Sequence, residues 1–138
     1  MGAAISRDKV GESVTRITSV YPFWFCPKFV SGASRFEELG YDQSFLLALT
    51  APRHLLVGSA EEDEWADPAS EFLGLYDVNR VYALYGKRGL VTPDEIPEAK
   101  TVLSEGDSCY HIRRGKHYLS REDWAVYMDY IDRVIGRK

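Results

Sequence analysis

Two stretches of this chain concentrate the side chains that could do acid–base chemistry. Residues 60–68 read Ala-Glu-Glu-Asp-Glu-Trp-Ala-Asp-Pro, and residues 113–120 read Arg-Arg-Gly-Lys-His-Tyr-Leu-Ser. A carboxylate that meets an imidazole orients the ring and stabilises its charged form, which is the acid–base half of a nucleophilic triad. His117 is the candidate base, because histidine changes charge nearest to neutral pH. Asp63, midway between Gly58 and Pro68 in what reads as a turn after a strand, is the best acid candidate. Asp67 and Glu61 remain alternatives, and Asp67 is equally well placed to cap a helix opened by Pro68. Trp65 stands among these carboxylates, where its ring either closes a sugar or ester pocket or folds inward. His111 reads as a structural histidine within a strand, and His54 has no assigned role.

These loops need elements to hold them. Arg53–Ser59 is a compact apolar run bounded by turn signals, the pattern of a buried parallel strand. Arg80–Tyr85 and Ser108–Arg113 read as two further strands. Ser120 with Asp123 forms a variant capping box, so a last helix follows and places His117 on a short loop. Its expected inner face is Trp124, Tyr127, Met128 and Ile131. Another helix spans Ala69–Tyr76, and Asp42 caps one that ends before Ala51-Pro52. Near the start, Val10, Val14 and Ile17 share a helix face within Ser6–Thr18, with Gly11 weakening it. The aromatic run Tyr21–Phe29 is fenced by Pro22 and Pro27, which argues for an irregular segment. Its rings form a buried plug, a pocket lining or, if exposed, a partner surface. Ser31–Gly40 reads as a loop, and Gly86–Asp107 as a long excursion. Strands alternating with helices imply a parallel α/β sheet.

Composition narrows the function classes. With 138 residues, 45% of them hydrophobic and 13% aromatic, the chain can fill the core of one domain. Its formal charge of −4 comes without a basic stripe, so nucleic acid is a poor partner. No apolar run is long enough to span a bilayer, and the start lacks the pattern of a secretory signal. Cys26 and Cys109 match no metal-ligand spacing and read as two buried free thiols; no metal or cofactor is expected.

Several stretches resemble the C-terminal half of the glucuronoyl esterases and related acetyl xylan esterase-like carbohydrate esterases, α/β-hydrolases whose glucuronoyl members cleave 4-O-methyl-glucuronoyl esters. The similar pieces are Gly2-Ala-Ala-Ile-Ser-Arg, Tyr21-Pro-Phe-Trp-Phe-Cys-Pro-Lys-Phe, Asp42-Gln with Leu46-Leu-Ala-Leu, and Ala51-Pro-Arg. The more specific motifs are Ser59-Ala-Glu-Glu-Asp-Glu-Trp-Ala-Asp-Pro and Tyr110-His-Ile-Arg-Arg-Gly-Lys-His. The resemblance implies that His117 is the triad base, Asp63 the acid, and Trp65 a contact to the uronic acid ring. It also implies a carbohydrate ester substrate and a periplasmic or secreted setting.

The family's nucleophile is a serine in a Gly-x-Ser-Arg-x-Gly elbow. That motif does not occur in this sequence. Ser34-Arg35 follows Gly32-Ala33 without the second glycine or a preceding strand, and Ser6-Arg7 has no strand before it either. The expectation is therefore a single truncated α/β-hydrolase-like domain over 1–138, with a short parallel sheet flanked by helices, lacking the N-terminal half and the elbow. Such a chain supplies base and acid but is inactive alone, because triad members act as a unit. Its exposed sheet edge invites homo-oligomer formation. The alternatives are a non-catalytic module that binds carbohydrate or a protein partner through Trp65 and Phe23–Phe25, and a cysteine hydrolase using Cys26 or Cys109. Neither thiol has an activating turn or helix start.

Overall fold

A computed structural model describes residues 3–5, 10–93 and 95–136. Its centre is a three-stranded sheet in the order β1-β3-β2. Strands β1 (Leu55–Ala60) and β3 (Ser108–Arg113) are parallel, with Val57 opposite Tyr110 and Ala60 opposite Arg113. The short β2 (Thr101–Leu103) pairs antiparallel with β3, so the sheet is mixed rather than purely parallel. Three residues are too few to show a period, and β2 lies inside the stretch expected to be an excursion. All six residues of β3 are buried, as befits a central strand covered on both faces. Val57, Phe72, Leu75, Leu90, Tyr110 and Ile112 form the main core.

Among the described residues, six α-helices surround or extend this sheet: α1 (Val14–Val20), α2 (Pro27–Gly32), α3 (Gln43–Ala48), α4 (Pro68–Asp77), α5 (Asn79–Leu84) and α6 (Arg121–Val134). The caps at Asp42 and Ser120 form as expected; Asp42 accepts from the Gln43 N–H, and Ser120 and Asp123 exchange both bonds of a capping box. Helix α1 begins at Val14, later than expected, because Gly11 has φ 69° and Ser13 caps the helix. Ser6–Lys9, where that helix was expected to begin, lie outside the described residues. Val10 is exposed, while Val14 and Ile17 are buried.

Three expectations are corrected. Arg80–Tyr85 is helix α5, not a strand. Leu75, Val78 and Tyr82 are all buried at helical spacing, and Asn79 locks the turn by exchanging two hydrogen bonds with the Leu90 backbone. Ser31–Gly40 is ordered as the end of α2 and a 3-10 turn over Ala33–Glu38 that buries Ala33 and Phe36. On α6 the expected inner face is largely outward: Trp124, Met128 and Ile131 are exposed, and Asp123 and Tyr130 are buried instead. Polar anchors decide that rotation, since the Tyr130 hydroxyl donates to the Asp107 carbonyl at 2.7 Å and Asp123 binds Arg113.

Candidate acid–base site

The acid loop and the histidine loop leave β1 and β3 side by side, because those strands are parallel neighbours. Backbone pairing continues past the strand ends: the Glu61 N–H donates to the Arg113 carbonyl at 2.8 Å, and the Glu62 N–H to Gly115 at 3.0 Å. This stitching brings together two residues 54 apart in sequence. His117 Nδ1 lies 2.6 Å from Asp63 Oδ2, and the other carboxylate oxygen accepts from the Ala66 N–H at 3.2 Å. Asp63 is thus buried and held at both oxygens, while the His117 side chain is 81% exposed. An Nδ1–H donated to a carboxylate sets the tautomer and leaves Nε2 for a reacting group.

The histidine loop is clamped from beneath by Arg113. Its guanidinium donates to the carbonyls of Arg114, Lys116 and Tyr118 and packs 4.1 Å over the Tyr118 ring. It is itself fixed by Asp123, whose Oδ2 accepts from Nε at 2.8 Å. Five N–H donors in a rigid fork suit this task; a lysine ammonium has no such geometry. The sequence motif gave Arg113 no role, although a buried arginine bounding a glycine loop is the available signal.

The other acid candidates separate cleanly. Asp67 is the N-cap of α4, with φ 58° and bonds from the Ser70 N–H and hydroxyl. Glu61 is exposed. Trp65 is half-buried, neither folded into the core nor free. Its indole N–H donates to Glu12, and the Arg16 guanidinium sits 4.3 Å over its ring. Gly11 runs directly under this loop, where a Cβ would meet the Trp65 carbonyl at 2.9 Å, so its positive φ and missing side chain are both required. An open groove of about 740 Å³ runs along Trp65, Arg16, Lys116, Asp63 and His117. Glu12 and Arg16 went unnoticed in the sequence because they reach the site from 53 and 49 residues away.

His111 is buried in β3, and His54 lies outside the acid–base pair. His54 Nδ1 donates to the Asp107 carbonyl at 3.2 Å. Cys109 is buried and its thiol is pushed up to about 12 by burial, the opposite of an activated nucleophile. Cys26 is exposed, so the expectation of two buried thiols holds for Cys109 alone. Ser34 is exposed on the 3-10 turn, not in a strand-to-helix elbow.

No family model matches the chain. Known proteins do. A carbohydrate esterase, MZ0003, from an unknown prokaryotic organism is 41% identical over 131 residues, which are 95% of this chain and 30% of that protein. The structure of a promiscuous CE15 esterase from a marine bacterial metagenome superposes with a TM-score of 0.89 at 41% identity, covering 95% of this chain and 32% of that one. The glucuronoyl esterase from Solibacter usitatus gives 0.82 at 40% identity, with 94% and 32% covered. Over nearly its whole length the chain is thus similar to one part of CE15 carbohydrate esterases. It spans about a third of the length of the relatives it matches. The fold is accordingly a portion of an α/β-hydrolase, a small mixed sheet flanked by helices. Among the described residues, no helix is long and apolar enough to cross a membrane.

Proposed function

We propose that this chain supplies the base and acid of a serine carbohydrate esterase, acting on a glucuronoyl-type ester. The observation that carries this reading is the 2.6 Å contact of His117 Nδ1 with Asp63 at adjacent strand exits. In the reaction a serine supplied from outside these 138 residues attacks the ester carbonyl, and His117 Nε2 takes its proton. The imidazolium, stabilised by Asp63, returns that proton to the departing alkoxide. Water, activated by the same nitrogen, then hydrolyses the acyl-enzyme and frees the acid. Trp65, fixed by Glu12 and Arg16, offers its ring to the sugar along the groove.

The chain alone turns over no ester, because a base without a nucleophile retains little of the mechanism. The test is a chimera in which this chain replaces the matching third of the Solibacter usitatus esterase. The chimera hydrolyses a methyl glucuronate ester, and His117→Ala lowers kcat by at least about 10³-fold. Retained turnover in that variant would overturn the assignment. Export to the periplasm or cell exterior belongs to the same proposal, since it rests on the same family resemblance.

A second reading is favoured by exposed apolar surface. Among the described residues strand β1 has an unpaired edge, α6 exposes Trp124, Met128 and Ile131, and Phe23 and Trp24 are exposed. Such surface suits self-association into a homo-oligomer, with carbohydrate or protein binding and no turnover. Sedimentation of the isolated chain distinguishes a monomer from an oligomer.

A further inference from the structure

Behind the Asp63–His117 contact is a cavity of about 250 Å³, and a second carboxyl lines it. Glu71, one turn into α4, reaches back toward β1 and accepts a hydrogen bond from the Ser59 hydroxyl at 2.6 Å. Asp63 and His117 line the same cavity. We infer that Glu71 is a positioning residue for this pair: it holds a proton in the cavity, so that Asp63 alone presents negative charge to His117. The inference rests on the reading of Asp63 and His117 as acid and base.

Two carboxylates lining one small cavity resist ionising together, and their environments decide which keeps the proton. Asp63 has the imidazole and the Ala66 N–H as hydrogen-bond partners, one at each oxygen. Glu71 has one hydroxyl and a half-buried position. Burial pushes its carboxyl up to about 7, with the Ser59 hydroxyl pulling down, Asp63 pushing up and His117 pulling down. From β3 and α6, the Tyr110 and Tyr127 phenols also face it, and both remain neutral because burial raises them. Arg113 and Asp123 line the far side and are paired with each other. Below neutrality Glu71 therefore adds no charge beside the Asp63 oxygen that touches the imidazole, and Asp123 is paired with Arg113. Above it a second charge appears on Glu71, which then competes with Asp63 for the same ring.

Carboxyl carbon NMR of the full 138-residue chain, titrated from pH 4 to 9, tests this. The Glu71 carboxyl is expected to titrate near 7, and the Asp63 carboxyl signal to show a step at the same pH. Glu71→Gln removes that step; Asp63→Asn moves the Glu71 midpoint down, since a like charge is gone. Should Glu71→Gln fold poorly, Ser59→Ala serves instead and moves the midpoint up by loss of a donor. A Glu71 midpoint in the ordinary carboxylate range, or one indifferent to Asp63→Asn, overturns the inference. The His117 Nδ1 proton signal reports the underlying pair separately. If Asp63→Asn leaves that signal in place, the acid–base reading falls, whatever Glu71 does.

Discussion

Two carboxylate–imidazole pairs flank the end of β3, and they have opposite fates. Asp63 and His117 meet at 2.6 Å with the imidazole side chain 81% exposed. Asp123 and His111 lie 3.3 Å apart with the side chains 5% and 1% exposed, and His111 Nε2 has no hydrogen-bond partner among the described residues. The residue types are the same; burial and one guanidinium separate the roles. Burial pushes the Asp123 carboxyl up, but the Ser120 N–H and Arg113 outweigh it and hold it below its ordinary value. Its charge is committed to Arg113. Burial drives His111 toward its neutral form, against the pull of Asp123. The inner pair is structural and braces the loop that presents the outer one.

Breaking each carboxylate in turn gives the largest contrast. Asp123→Ala leaves a buried guanidinium without its partner and removes the capping box of α6. A loss of about 3–5 kcal/mol is expected in urea unfolding. Asp63→Asn removes a charge whose partner is solvated, and should cost about 1 kcal/mol or less. Equal losses from the two would erase the distinction drawn between the pairs.

A smaller effect tests how tightly the inner pair is packed. At Gly58 an added Cβ would lie 2.5 Å from His111 Nε2 and 2.6 Å from the Tyr127 hydroxyl. Gly58→Ala must displace one of them, at a cost of about 1–3 kcal/mol. Gly32→Ala has open space around it, and on a helix it should stabilise by up to about 1 kcal/mol. If Gly58→Ala is as mild as Gly32→Ala, the inner pair is loosely held and the brace is not rigid.

The outer pair was legible in the sequence and the inner one was not. Asp63 and His117 stand in polar loops beside Gly58, Pro68 and Gly115, where turn chemistry marks a strand exit. His111 was placed in its strand correctly, but nothing local pairs it with Asp123, whose capping pattern with Ser120 hides a second task. Glu12 and Arg16 escaped because each acts on a partner dozens of residues away, and Arg113 and Glu71 because each reaches its partner on a different element, which no period or spacing encodes. The strand expectation for Arg80–Tyr85 failed where Val, Tyr and Leu suggested β structure, while Leu75, Val78 and Tyr82 set the helical spacing. The inner face of α6 failed because Tyr130 and Asp123 set its rotation through polar bonds, leaving Trp124 and Met128 outside.

The least effect expected, and the one most specific to the inner pair, is a pH slope. His111 lies below its ordinary value when folded, so the unfolded chain binds a proton that the folded one resists. Its contribution to stability is complete above about pH 6.5 and is lost as pH falls through that value. One proton limits the slope to about 1.4 kcal/mol per pH unit. Glu71 slopes the other way: a carboxyl raised to about 7 contributes stability that is present at low pH and lost as pH rises through 7. Unfolding measured between pH 5 and 7 in a Glu71→Gln background isolates the histidine. Adding His111→Gln should flatten the curve there; a slope that survives it would place the responsible proton elsewhere and leave His111 without an energetic role in setting the brace.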